Sequence, residues 1–471
     1  LEKYRRIYMD NDERGIYLEK MIANILETKL ENIPQPIINH AKDRILDSLG
    51  CLICGANDAG NPELLGIVRE MGGRPEARIL IHGDRVPAGT AAMVNCIMCR
   101  SFDFEPVSPV VDGVSVPGHV SGTTTMTALT VGDMQNVTGR ELLASTLVGD
   151  DMATRVLLAG KGSGTRRGYD HIGQANSFGA VAIAGRLMGL DSSQMRNAFG
   201  LILDRLGGAQ QMITDTATGF KLSQGTSARD AIFCVRLARA GWTGVKDALL
   251  SEGGYYTMFT DGIRDPNALT KDLGKQYYSD GTFKPYPNCR INHATIDSTL
   301  NIIRNHDIAG DDIEKVIIYA SPGVLKDVLG QPFVIGDFPH ACAGFSLQYN
   351  VASVLLRGSS LPEHFTEEAI RDPAISDFVK KITMAELTQG NMESGRVKVI
   401  MKDGREFDDF TDIARGDPRK PISREELLAK YWTNIEFSRT ISRENAEAVI
   451  DIVEDLENLD SVRKLVNLLI V

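Results

Sequence analysis

PQPIINHAKDRILDSLGCLICG, residues 34–55, decides the fold class of this chain. Ile37, Ile38, Ala41, Ile45, Leu49 and Leu52 recur at helical spacing, and the run closes on Gly55, a residue suited to a helix C-cap. The same period returns on both sides of a short hairpin-like piece, Ala77 to Val86, with Gly83-Asp84 at its turn. Ala91, Val94, Ile97 and Met98 begin a helix that ends near Asp103. Thr138-Gly139-Arg140-Glu141 reads as a capping box opening a helix through Leu158, and Asp191-Ser192-Ser193-Gln194 opens another. Ser227 to Ala240 continues the pattern, so roughly the first 250 residues contain little that looks like sheet. No fixed period of the kind a solenoid needs is present.

The pattern changes after about Gly281. Asp312 to Ala320, containing IEKVIIYA, alternates like a strand. Arg396 to Phe407 carries VKVIM, the Lys402-Asp403-Gly404 turn and REFDDF, a hairpin signal. Helical stretches Ala294 to Arg304 and Phe345 to Leu356 lie between, and Ser423 to Val471 returns to helix. The expected architecture has two domains. Residues 1–280 and 412–471 build a large all-α helical domain, and residues 281–411 form an inserted, smaller α+β lid domain.

At 471 residues the chain exceeds what one core usually organises, so a cleft between two units is expected. A formal charge of −11 and a pI near 5.4 have the wrong sign for holding a phosphate backbone, which excludes nucleic acid as a partner. An anionic ligand would need local Lys and Arg to oppose that field. No run approaches the ~20 apolar residues that span a bilayer, so no membrane partner is expected. Leu1 to Asp12 is charged and lacks a signal-peptide layout, giving a cytoplasmic expectation, or an organellar matrix if a leader has been removed. The seven Cys form an odd set. Cys51/Cys54 and Cys96/Cys99 lie in helical text without knuckle glycines and read as buried core thiols, in preference to a zinc site. Gly160-Lys161-Gly162-Ser163-Gly164 lacks the Walker spacing and reads as a loop bordering the site, and no G-x-S-x-G elbow is present.

Four segments in order resemble the MmgE/PrpD family, whose members dehydrate 2-methylcitrate, decarboxylate cis-aconitate or epimerise iminodisuccinate. Ile45 to Gly55 is similar to the family's early helix, and AAMVNCIMCRSFDF, residues 91–104, to its VNG…HALDFDD helix. SFGAVAIAGRLMGL, residues 177–190, resembles GALGAAAAAARLLGL, and KPYPNCRINHATID, residues 284–297, resembles YPxCxxxHxxID. The resemblance implies a large helical domain with a lid, an active site between them, a homodimer, no cofactor and no metal. It also implies a small anionic polycarboxylate as substrate.

Chemistry beside a carboxylate needs an acid, a base and cations that stabilise an enolate-like transition state. By resemblance, Asp103 matches the first Asp of DFDD, and its place at a helix C-terminus should raise its pKa. His119 matches the His of HPSG, and imidazole moves protons near neutrality. His171 corresponds to the His of GWHP, one residue short in spacing. Lys221 falls where the family carries a Lys before a helix and would bind or polarise a carboxylate. Lys284, Arg290 and His293 open the lid as substrate-binding groups, with Arg suited to bidentate capture. Approach of these groups only on closure would let substrate drive lid movement. One departure stands out: DFDD is here Asp103-Phe104-Glu105-Pro106, followed by a longer segment to His119, which has no Pro after it. The expected activity is a lyase, first a dehydratase of 2-methylcitrate or citrate, with a cis-aconitate-type decarboxylase or an iminodisuccinate-type epimerase as alternatives. A non-catalytic helical interaction protein would leave Asp103, His119, Lys221 and Lys284 apart.

Overall fold

The computed structural model describes residues 11–160 and 168–470. The opening stretch forms a helix, Gln35–Gly55, entered through Pro34. It buries Ile38, Ala41, Ile45, Leu49 and Leu52. Gly55 is its last helical residue, and the next residue, Ala56, keeps right-handed backbone. The glycine is therefore no left-handed cap. A Cβ at Gly55 would lie 2.0 Å from Met98 O, so the residue lets this helix pack tightly against Ala88–Arg100.

The Ser121–Gln135 helix runs through the middle of the main core, buried from Ser121 to Asp133. Its threonines look polar in the sequence but are paired inside the core: Thr127 Oγ1 donates to Thr123 O and Thr124 Oγ1 lies 3.0 Å from Val120 O and 2.5 Å from Asp150 Oδ1, while Thr123 and Thr130 accept from Asn176 and Asn95. Gly139–Gly160 and His171–Leu187 pack beside it. The Asp191/Gln194 capping box forms with both of its hydrogen bonds. Only half of the Thr138 box does: Glu141 N donates to Thr138 Oγ1, but the Glu141 carboxylate is taken by Arg186.

Two small antiparallel sheets interrupt the helices. β1 (Ala77–Arg78) pairs with β2 (Arg85–Val86), at the expected hairpin. β3 (Val107–Val111) pairs with β4 (Val114–Ser115), and β3 also pairs with β5 (Asp280–Thr282). This second sheet was not expected from the sequence. It turns the long Glu105-to-His119 segment into a hairpin tied to the strand that leads to Lys284. The boundary expected near residue 281 falls inside β5.

The largest sheet has the order β7-β6-β8-β9. β6 (Ile313–Ala320), β8 (Gly395–Met401) and β9 (Glu406–Thr411) are antiparallel, with Val316 opposite Val399 and Val399 opposite Phe407. β7 (Ile382–Glu386) adds in parallel to β6. Helices His293–Asn305 and Leu347–Arg357 cover this sheet, and Ile302, Val316, Ile318, Val351, Val397 and Val399 share one core. The last helices return to the main core. Tyr431, on Arg424–Ser438, packs on Gly50, where a Cβ would meet its ring at 3.2 Å. Lys430 reaches Asp47 at 2.7 Å. No helix among the described residues is long and apolar enough to cross a membrane. All seven cysteines are free, and those of both CxxC pairs are buried.

Candidate active site

Asp103 follows directly from the end of the Ala88–Arg100 helix, and its N–H donates to Arg100 O at 2.9 Å. Its φ of +48° is left-handed, a conformation that Asp tolerates better than most side chains and that folds the carboxylate back over the helix end. Arg100 forms an ion pair with Asp103 there, and the same Nη1 lies 3.2 Å from Glu105 Oε1. Lys284 Nζ, carried in just after β5, donates to both Asp103 O and Asp103 Oδ1 at 2.5 Å. Lys430 holds the intervening backbone by donating to Phe104 O at 2.7 Å.

His119 closes the cluster. Its Nδ1 is 2.9 Å from Glu105 Oε1 and 3.7 Å from Asp103 Oδ1. Two contacts fix the backbone here. Asn176 Nδ2 donates to His119 O at 2.7 Å, and Asp280 Oδ2 accepts from the N–H groups of Val120 and Ser121 at 2.9 and 2.7 Å. Asp280 thus caps the central helix directly behind His119.

The electrostatics reverse one expectation. Burial pushes the Asp103 carboxyl up, but Arg100 and Lys284 outweigh that effect and hold it well below the usual range. The helix-end dipole expected to raise it is the smaller influence, because full positive charges lie in direct contact. Glu105 behaves likewise: burial raises it, and Arg100 and His119 bring it down to about 2. His119 is lowered by burial and by Arg100, against the pull of Glu105. Both acids are therefore ionised near neutrality, opposite Arg100 and Lys284, with a neutral imidazole beside them.

Asp103, Glu105 and His119 present ligand atoms within 4.8 Å of one another, a spacing a divalent ion can use. In this chain the guanidinium of Arg100 and the ammonium of Lys284 sit among the same carboxylate oxygens. That donor set is already neutralised and does not suit a second cation. Polar atoms remain unpartnered around it: Glu105 Oε2, Gln224 Oε1 and Asn176 Oδ1 are buried without a hydrogen-bond partner. Unpaired buried acceptors of this kind are costly unless a ligand or water meets them.

The other residues named from the sequence divide. Lys221 is buried but points elsewhere: its Nζ donates to Asp58 Oδ2 at 2.7 Å, Ala59 O at 2.8 Å, and Asn61 and Ser101 at 3.3 Å. It touches the first cluster only through Ser101, the neighbour of Arg100. Arg290 was expected to grip a substrate carboxylate, but its guanidinium donates to Arg415 O and Ala414 O, pinning the chain after β9, and lies 3.5 Å from the Glu393 carboxylate and 3.9 Å from that of Asp417. A guanidinium this close to chain carbonyls satisfies them first. His293 is buried beside Tyr286, with Nδ1 unpartnered and its pKa pushed far down by burial and Arg290. The side chain of His171 and residues 161–164 of the glycine loop lie outside the described residues. Lys284 already touches Asp103, so their contact needs no closure step.

Sequence reasoning missed Arg100, Glu105, Asn176, Gln224 and Asp280. Glu105 carried a usable signal, since it sits in the segment that departs from DFDD. A cavity of about 280 Å3 lies next to the cluster, on the other side of Phe102, and is lined by Asp58 and His340 rather than by Asp103.

Comparison with known proteins gives the wider setting. The MmgE/PrpD N-terminal domain model matches residues 19–265 and the MmgE/PrpD C-terminal domain model matches residues 286–458. Cis-aconitate decarboxylase of Homo sapiens is 26% identical over 473 residues, covering 96% of this chain and 94% of that protein. The cis-aconitate decarboxylase of Mus musculus is 25% identical, covering 96% and 93%. That of Aspergillus terreus is 22% identical over 93% of each chain.

Proposed function

The chain belongs to the MmgE/PrpD family, and from that premise we propose that it is a lyase that decarboxylates cis-aconitate or a close unsaturated polycarboxylate. The observation that carries this reading is the sealed cluster in which Arg100 and Lys284 share the Asp103 carboxylate beside His119. Dehydration of 2-methylcitrate or citrate, ranked first on the sequence alone, becomes the second reading, because relatives matched along nearly their whole length carry the decarboxylase name.

Loss of CO2 from cis-aconitate breaks one C–C bond. Its electron pair forms a new C=C bond, the old double bond passes its pair to the neighbouring carbon, and that carbon takes one proton. The enzyme must therefore hold the remaining carboxylates and supply a proton. Arg100 and Lys284 are the cations in reach. When substrate carboxylates exchange onto them, Asp103 loses the contacts that hold its pKa down, so its proton affinity rises as substrate arrives. Asp103, once it has taken a proton from solvent, or His119, once its Nε2 has done so, then delivers that proton to the carbon. Dehydration would use the same groups with hydroxide as leaving group.

His119 Nδ1 sits against the ionised Glu105, which favours the Nδ1–H form and leaves the Nε2 lone pair available. Glu105 thereby sets which ring nitrogen works. The remaining parts of this reading are residues 281–411 as a lid, a homodimer, and a cytoplasmic or organellar-matrix location. Incubating the purified protein with cis-aconitate, 2-methylcitrate, citrate and iminodisuccinate and following each by NMR tests the substrate class. Turnover of none overturns it.

A further inference from the structure

Through Asp58, Lys221 belongs to a second group of side chains outside the first cluster, and the resemblance assigns no role to its other members, Asp58 and His340. His340, in the short helix Pro339–Gly344, places Nδ1 2.7 Å from Asp58 Oδ1. The other Asp58 oxygen takes the Lys221 ammonium at 2.7 Å. Burial raises the Asp58 carboxyl, but His340 and Lys221 together keep it below its ordinary value, so it stays ionised. Aromatic rings box the imidazole: Phe102 at 4.4 Å, Phe338 at 5.9 Å and Phe365 at 6.0 Å between centroids.

His340 also lines the cavity of about 280 Å3 beside Phe102. Its Nε2 makes no hydrogen bond to the described residues, yet it is not among the sealed, unpartnered atoms of the interior. It is the one polar ring atom of this group left for the cavity. A carboxylate-oriented imidazole with its second nitrogen facing a small, aromatic-walled space is an arrangement suited to proton transfer. The charges do not oppose an anion: Asp58 and Lys221 cancel, and Glu367 on the rim is paired with Arg371 at 2.7 Å.

We infer that this cavity is a second acid–base site, in which Asp58 orients His340 so that Nε2 meets a small carboxylate-bearing ligand, with Lys221 as the compensating cation behind it. Asp58 is the positioning residue and His340 the group that meets the ligand. The inference rests on the polycarboxylate reading above and extends it to residues outside the Asp103 cluster.

The test uses full-length protein labelled with 15N at histidine, with ring signals assigned by single substitutions. The probe is propane-1,2,3-tricarboxylate, a saturated tricarboxylate with no double bond to react. The expected result is a saturable shift of the His340 ring nitrogens. His340→Gln should lower turnover of cis-aconitate by about 100-fold while the melting curve is retained. Asp58→Asn should change the His340 tautomer pattern, a readout that a purely structural contact would not move. A probe that shifts His119 but leaves His340 untouched, with full turnover in His340→Gln, overturns this inference and leaves the proposed function standing. A probe that moves neither ring, with no turnover of cis-aconitate, sinks the polycarboxylate reading and this site with it.

Discussion

His119 Nδ1 lies 2.9 Å from Glu105 Oε1, inside a shell where the glutamate is completely buried. The pairing links a segment that departs from its family's pattern to the imidazole expected to move protons. If Glu105 keeps the hydrogen on Nδ1, then Glu105→Gln removes the charge that holds it there, and the nearby Arg100 can donate to Nδ1 instead. We predict a fall in kcat of roughly 100- to 10,000-fold with KM little changed. 15N spectra of the His119 ring should show the hydrogen moved to Nε2. Unchanged kcat would remove Glu105 from the mechanism.

Lys284 is fully buried and makes an ion pair with Asp103 at 2.5 Å. Replacing it with Met removes the charge and keeps much of the volume, leaving Asp103 to Arg100 alone. Substrate affinity should fall more than tenfold, and stability by about 3 kcal/mol, the usual scale for breaking a buried pair. Calorimetric titration and urea unfolding read the two effects separately.

Asp280 titrates in the opposite sense to Asp103. Burial raises its carboxyl to about 7, despite the N–H of Ser121 donating to it. Between the ordinary carboxylate value of 3.8 and about 7, the folded protein keeps a proton that the unfolded chain has lost. The contribution of Asp280 to stability therefore declines as pH rises through that window. Asn cannot titrate but can still accept from Val120 and Ser121. Asp280→Asn should gain on the wild type from pH 4 to pH 7 by up to roughly 4 kcal/mol and run parallel above it. Unfolding free energies across pH check this, and a constant difference would contradict the assignment.

Gly55→Ala tests the helix crossing that supports the site. The added methyl would sit 2.0 Å from Met98 O, a backbone atom that can move only with the Ala88–Arg100 helix. Overpacking of this kind should cost about 3 kcal/mol or more, and activity should fall as Arg100 and Asp103 shift with the helix end. Urea unfolding and turnover, measured on the same preparation, follow the two effects.

The helical half was readable because its faces repeat. Ile45, Leu49 and Leu52 face the core at helical spacing, and β6 and β8 alternate as strands should. The Ser121–Gln135 helix was hidden because it is buried on every side and its threonines find partners within the core, so it shows no amphipathic period. β3 was hidden because one of its partners, β5, lies more than a hundred residues later. At the candidate site, Asp103, His119 and Lys284 could be named from motif order. Arg100 and Glu105 could not be paired with them in advance, because the left-handed turn at Asp103 folds the chain back onto its own helix. Lys221 and Arg290 were named from motif position, which does not fix where a side chain points, and a buried cation takes whichever acceptors the fold places nearest, here Asp58 and the carbonyls after β9.

The most direct test of the central claim is the reaction itself in deuterated water. With cis-aconitate as substrate, the expected products are CO2 and an unsaturated dicarboxylate carrying one deuterium on the carbon that gained the proton, with turnover lost in Asp103→Asn. No consumption of cis-aconitate by folded protein, or full turnover in Asp103→Asn, would contradict that claim.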